Sequence, residues 1–200
     1  MSGGMGITQT PTKSGIPVYQ GTSKDIQLLQ GGCLLNTTGL TAGATIPAGT
    51  PVVYDETTRV ASILHNATAH ANAASNAVNY QVLKGHSLIV GDYLASGAVG
   101  GKAYAITAID TSNSGYDVLT VGTTIGAVTA GDLLFASTAE GATASALPAI
   151  NGLTYDEIIV SSNISLSVVI RGTVYARRVP WSAAIEALSG LKHFIYSKSY

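Results

Sequence analysis

Three of the four arginines in this 200-residue chain fall in one stretch, SLSVVIRGTVYARRVPW, residues 165–181. They are Arg171, Arg177 and Arg178, with Trp181 close behind. Charged residues make up only 10% of the chain, so such a concentration calls for a chemical reason. A guanidinium offers a planar fork of donors that matches a carboxylate or a phosphate, and arginine is favoured at protein interfaces. Read as a strand running to Pro180, the stretch places Arg171 and Arg177 on one face with Thr173 and Tyr175, and Arg178 on the other. The alternative is a solvated strand edge kept from aggregating by its charge. Trp181 beside the arginine pair favours an interface, and Arg171, Arg177, Arg178 and Trp181 are its candidate residues.

The other reactive side chains form no familiar constellation. SGAVGGKA (residues 96–103) approximates a phosphate-binding loop, but Ser96 replaces the first glycine and Ala103 the hydroxyl residue that would hold magnesium. His65 and His70 in HNATAH have no standard metal-site spacing and no carboxylate or thiolate nearby to complete a set. His86 and Ser87 are adjacent, and neighbours on a strand point to opposite faces, so they cannot pair as base and nucleophile. Acidic residues are scattered singly; Asp92 and Asp132, in glycine turns, read as structural. The expectation is a protein that is not an enzyme, with no catalytic residues, no cofactor and no metal. The net charge of −1 argues against nucleic acid as a partner, because phosphate binding needs a basic field. The single cysteine, Cys33, cannot form an internal disulfide and reads as a small buried residue. The opening residues lack the basic start and apolar segment of a signal peptide, and no apolar run reaches the roughly 18 residues that span a bilayer, so no membrane partner is expected.

The elements that must carry these residues read as β-structure. Residues 1–20 form an expected extended N-terminal arm, rich in Gly, Ser, Thr and Pro. Residues 21–147 form a β-rich domain, and residues 148–200 a C-terminal β unit with a short helix, packed on the preceding domain. Three related phrases, IPAGTPVVYD, LIVGDYLAS and VTAGDLLFAS, place a glycine turn before a strand at Gly49, Gly91 and Gly131. Glycine permits the turn, and the Asp or Thr after it can bond nearby amides, expected here to be the following ones. Residues 103–121 alternate around the turn formers Asp110 to Gly115 and predict a hairpin. Residues 67–79, rich in Ala and Asn, suit a loop better than a helix, and residues 139–150 a linker or surface loop. The run from Ile164 to Tyr175 alternates as a long amphipathic strand. WSAAIEALSG then predicts a short helix, with Ser182 as N-cap and Gly190 just past its end, and HFIYS a closing strand. The fold class expected is mainly β, an antiparallel barrel or sandwich with one short C-terminal helix.

The order of the phrases YQVLKGHSLIVGDYLA, AYAITAIDTSNSGYDVLTVGTTIGAVTAGDLLFAS and ISLSVVIRGTVYARRVPW resembles the head fibre and capsid decoration proteins of tailed bacteriophages. The resemblance rests on the K-G-H-x-x-x-V-G-D and R-G-T-V-Y-x-R-R-x-P-W segments and covers Gly21 to Tyr200. It implies a non-enzymatic virion protein on the capsid exterior, made in the bacterial host cytoplasm. The implied partners are the major capsid protein and two further copies in a homotrimer, with host-surface glycan as an additional one. The chain has no heptad repeat, so a compact knob fits better than a long shaft. The alternative is a carbohydrate-binding or adhesin-like β module, for which Tyr93, Tyr104, Tyr116 and Trp181 are the stacking candidates; a hydrolase with a dispersed site is a third possibility.

Overall fold

A computed structural model describes residues 17–21 and 25–198. Most of the expected arm therefore lies outside the described residues. Seventeen strands follow in order: β1 (Tyr19–Gln20), β2 (Gln27–Leu28), β3 (Cys33–Leu35), β4 (Thr45–Ile46), β5 (Pro51–Asp55), β6 (Val60–Ile63), β7 (Asn66–Thr68), β8 (Asn79–Leu83), β9 (Tyr93–Ser96), β10 (Ala103–Asp110), β11 (Tyr116–Val121), β12 (Leu133–Ser137), β13 (Gly152–Thr154), β14 (Ile158–Ile159), β15 (Ser165–Leu166), β16 (Val168–Tyr175) and β17 (Phe194–Ser197). One helical turn, α1 (Ala183–Glu186), and two 3-10 turns complete the elements among the described residues. The fold is mainly β, as the alternating patterns require.

Nine strands form one sheet, with β16 as its hub, paired to β1, β2, β13 and β17. The sheet continues from β13 through β5, β6 and β3 to β15. Its eight-residue hub owes its length to β-branched residues; Val168 and Val169 are both buried where the strand has its register shift against β2, and beyond the shift Gly172 and Val174 are buried while Arg171 is exposed. Of the strands after residue 147, β13, β15, β16 and β17 complete a sheet begun by β1, β2, β3, β5 and β6, while β14 pairs with β4 in a separate two-stranded sheet. The chain returns from the second sheet between β12 and β13.

That second sheet has six strands, ordered β7-β12-β9-β10-β11-β8. A bridge between Ala69 and Val82, with His70 N–H donating to Gln81 O, brings the chain beyond β7 back to β8 and curls the sheet onto itself. Tyr80, Leu94, Ile106, Leu119 and Leu134 fill its interior. The expected hairpin is β10–β11, with a register shift between Ile106 and Ala108. Ala103 and Ile106, three apart, take opposite faces of β10, and both are buried because Ala103 joins the core between the sheets while Ile106 joins the interior of the six-stranded sheet. Residues 67–79 contain no helix, in line with the asparagine-based reading.

The three glycine turns all start strands two residues later, at β5, β9 and β12. Gly49, Gly91 and Gly131 have φ of 79°, 99° and 92°. The bonding differs from expectation, because each polar side chain reaches back three residues instead of forward. Asp92 accepts from Ile89 N–H, Asp132 accepts from Thr129 N–H, and Thr50 donates to Pro47 O. A carboxylate at the last position of a β-turn faces the amide that opens the turn, which fixes this direction.

Residues 139–150 carry no strand or helix, as the loop reading expects, and buried Ser145 fixes the loop by accepting from Gly101 N–H and donating to Ala98 O. One further expectation is corrected. Ser182 does cap α1, accepting from Ile185 N–H at 3.2 Å. Gly190, however, lies in the 3-10 turn Ser189–Leu191, beyond the end of α1. It is required by a close approach, since a Cβ there would overlap Ile150 O and stand 3.0 Å from Asn151 Cα.

The two sheets meet in one core. Ala95, Ala103, Leu133 and Phe135 from the six-stranded sheet pack with Leu153, Val169, Val174, Phe194 and Tyr196 from the nine-stranded one, and with Ile185 of α1. This contact holds the two sheets in register and positions the groove between them.

Candidate functional site

The arginine stretch is not one continuous strand. β16 stops at Tyr175, and Ala176–Arg178 form a 3-10 turn, five residues before Pro180. The strand ends early because Ala176 turns into the core while Val179 seats against Gly49. Arg177 and Arg178 therefore do not occupy opposite strand faces. Arg178 Nη1 donates to Pro17 O at 2.5 Å, and its guanidinium carbon lies 4.4 Å from the Tyr175 ring centroid. Trp181 Nε1 donates to Glu186 Oε2 at 3.0 Å, and Lys198 Nζ lies 5.0 Å from the Trp181 ring. Arg171 stands apart, exposed on β16 opposite Gln27 at the register shift with β2.

Arg177, Arg178 and Trp181 are brought together along a groove at the junction of the two sheets. Two cavities, of about 380 and 500 Å³, share Thr68, Arg177, Val179 and Pro180 as a common wall. The first continues between the loop from Gly39 to Pro47 and the segment from Leu83 to Ile89; the second continues past Leu133 to Trp181 and Lys198. The walls are largely aliphatic, from Leu40, Ile46, Ile63, Leu88, Val160 and Val179. Lys84, His86, Arg177, Arg178 and Lys198 supply the titratable groups, and no carboxylate among the described residues lines either cavity.

One carboxylate stands behind the wall. Asp117 is 5% exposed; its Oδ1 accepts from Lys84 Nζ at 2.5 Å and its Oδ2 lies 3.4 Å from His86 Nε2. Antiparallel pairing of β8 and β11 sets Asp117 opposite Val82, so Lys84 just beyond the strand shares its face. Burial pulls the His86 pKa below its usual 6.5, opposed by the Asp117 charge and by the nearby Leu88 backbone, although Nδ1 makes no hydrogen bond of proper geometry. At neutral pH His86 is therefore a neutral ring beside a carboxylate already held by Lys84.

A pH dependence follows. With the folded pKa depressed below 6.5, the unfolded chain takes up the proton first as pH falls, and stability drops below pH 6.5. The contribution is complete above the unfolded pKa and is lost down to the folded one. Urea unfolding at pH 7.0 and 5.5 should show a loss of up to about 1.4 kcal/mol per pH unit in that window. His86→Gln should flatten the dependence; an unchanged slope in that variant would exclude His86 as its source.

The remaining candidates separate. His65 Nδ1 pairs with Asp92 Oδ2 at 2.8 Å, whereas the His70 ring stacks on Tyr116 with centroids 5.1 Å apart. The two histidines thus face different partners, and among the described residues no three His, Cys, Asp or Glu side chains come together. Ser87 Oγ accepts from Asn66 N–H, while His86 turns to Asp117. Tyr93 packs on the core between the sheets and Tyr104 on the core of the six-stranded sheet, so these two do not share a stacking surface. Cys33 is buried, as expected. The Lys84–Asp117–His86 group was missed by sequence reading, because Asp117 lies 33 residues beyond Lys84; strand register was the signal that could have joined them.

The chain matches no protein-family profile, no curated protein and no solved structure.

Proposed function

We propose that the chain is a non-enzymatic virion structural protein that decorates the outer surface of a phage capsid, as a homotrimer bound to the major capsid protein. The observation that carries this reading is Ile195, 66% exposed on β17, a strand that pairs only with β16 among the described residues. An open edge bearing an exposed aliphatic side chain invites another chain, and closed symmetric assembly is the usual way to cover it. Ile159 and Leu34 add exposed aliphatic surface on other strands. With so few charged residues, the surface has little to keep such edges solvated. The resemblance of its ordered phrases to decoration proteins supports the capsid as the partner.

The test is to mix the purified chain with undecorated capsids and count copies per particle by gel densitometry. Saturation at a fixed stoichiometry is expected, together with a trimer by light scattering at micromolar concentration. A stable monomer that leaves capsids bare would refute the reading.

A further inference from the structure

The groove adds a partner chemistry to this assembly reading, on which the following rests. We propose that it takes an extended, acidic and apolar segment of a partner polypeptide, whose carboxylate meets Arg178. The two cavities lie side by side against Thr68, Arg177, Val179 and Pro180, and an extended chain laid across that shared wall reaches both, as a compact ligand does not. Aliphatic walls would take alternate apolar side chains of such a segment. The charge balance along the groove is positive. Lys84 is matched by Asp117, and Lys198 lies 3.7 Å from Glu186, but the partners seen for Arg178 are a carbonyl and an aromatic ring, neither of them an anion. A guanidinium carries five N–H donors, and the bond to Pro17 O uses one of them. The same chemistry argues against residues 1–16 as the occupant: that segment contains Lys13 and no Asp or Glu. A glycan is disfavoured in the first cavity, where no Tyr, Trp or Phe among the described residues is present for stacking.

The probe is a fluorescein-labelled hexapeptide alternating leucine and glutamate, compared by anisotropy with the same peptide carrying glutamine for glutamate. The acidic peptide should bind at least about ten-fold more tightly, a difference of about 1.4 kcal/mol. Arg178→Ala should abolish the difference, Arg171→Ala should retain it, and added salt should narrow it. Because Arg178 also anchors Pro17, the unmodified chain is tested in parallel by NMR, where shifts on titration should cluster at Thr68, Gly85, Ser87 and Val179. Equal binding of the two peptides, no binding at millimolar concentration, or shifts elsewhere would overturn the assignment. Capsid decoration separates this from the assembly reading. Decoration without peptide binding sinks the groove alone, and groove binding without decoration sinks the capsid partner while leaving the groove.

Discussion

Phe135→Ala is expected to lower the unfolding free energy by about 3–5 kcal/mol, the usual cost of truncating a fully buried phenylalanine. Phe135 has no exposed surface and sits on β12, pairing with Ala95 of β9 on one side and Asn66 of β7 on the other. Its side chain belongs to the core in which the two sheets meet. That core includes Ala95, Ala103 and Ala176, whose methyl side chains cannot extend to fill the vacated space. The loss should appear as a lower urea midpoint. Phe135→Leu, which keeps most of the volume, should recover much of it. If the alanine variant unfolds within 1 kcal/mol of the parent, roughly the cost of an exposed site, the sheets do not depend on this contact.

Gly49→Ala should cost about 2–5 kcal/mol and also disturb the groove. Gly49 has φ of 79°, a conformation that costs an L-residue about 1–2 kcal/mol. A Cβ there would also overlap Val179 Cγ1 and stand 2.8 Å from Val18 Cγ1. Crowding of this kind adds about 1–3 kcal/mol. Relief requires Val179 to move, and Val179 forms the shared wall of both cavities next to Arg178. Reduced stability together with weaker acidic-peptide binding is therefore expected. Gly91→Ala is the comparison, because it carries a similar φ of 99° with nothing within 4 Å of the added Cβ. It should show the backbone cost alone. Equal losses in the two variants would show that the Val179 contact contributes nothing.

Local chemistry made much of this protein legible without coordinates. Alternation of β-branched residues marked β16 and the β10–β11 hairpin, because side chains on a strand change face at every residue. Glycine followed by Asp or Thr marked the starts of β5, β9 and β12, because the turn needs positive φ and a short polar side chain closes it locally. Ser182 announced α1 in the same way, through a bond spanning three residues. Each of these signals is complete within a few positions of the chain.

Tertiary structure alone decided where the arginines lie. Nothing between Tyr175 and Pro180 announces a 3-10 turn; it arises because Ala176 enters a core built from distant strands and Val179 lands on Gly49, 130 residues earlier in the 200-residue chain. Arg178 is placed by a carbonyl at Pro17, and Asp117 by the register of β8 on β11. The groove exists only because β7 of one sheet comes to rest beside the turn that ends β16 of the other. Periodicity records which face a side chain takes; it carries no information about which remote segment covers that face, and that choice belongs to packing of the whole chain.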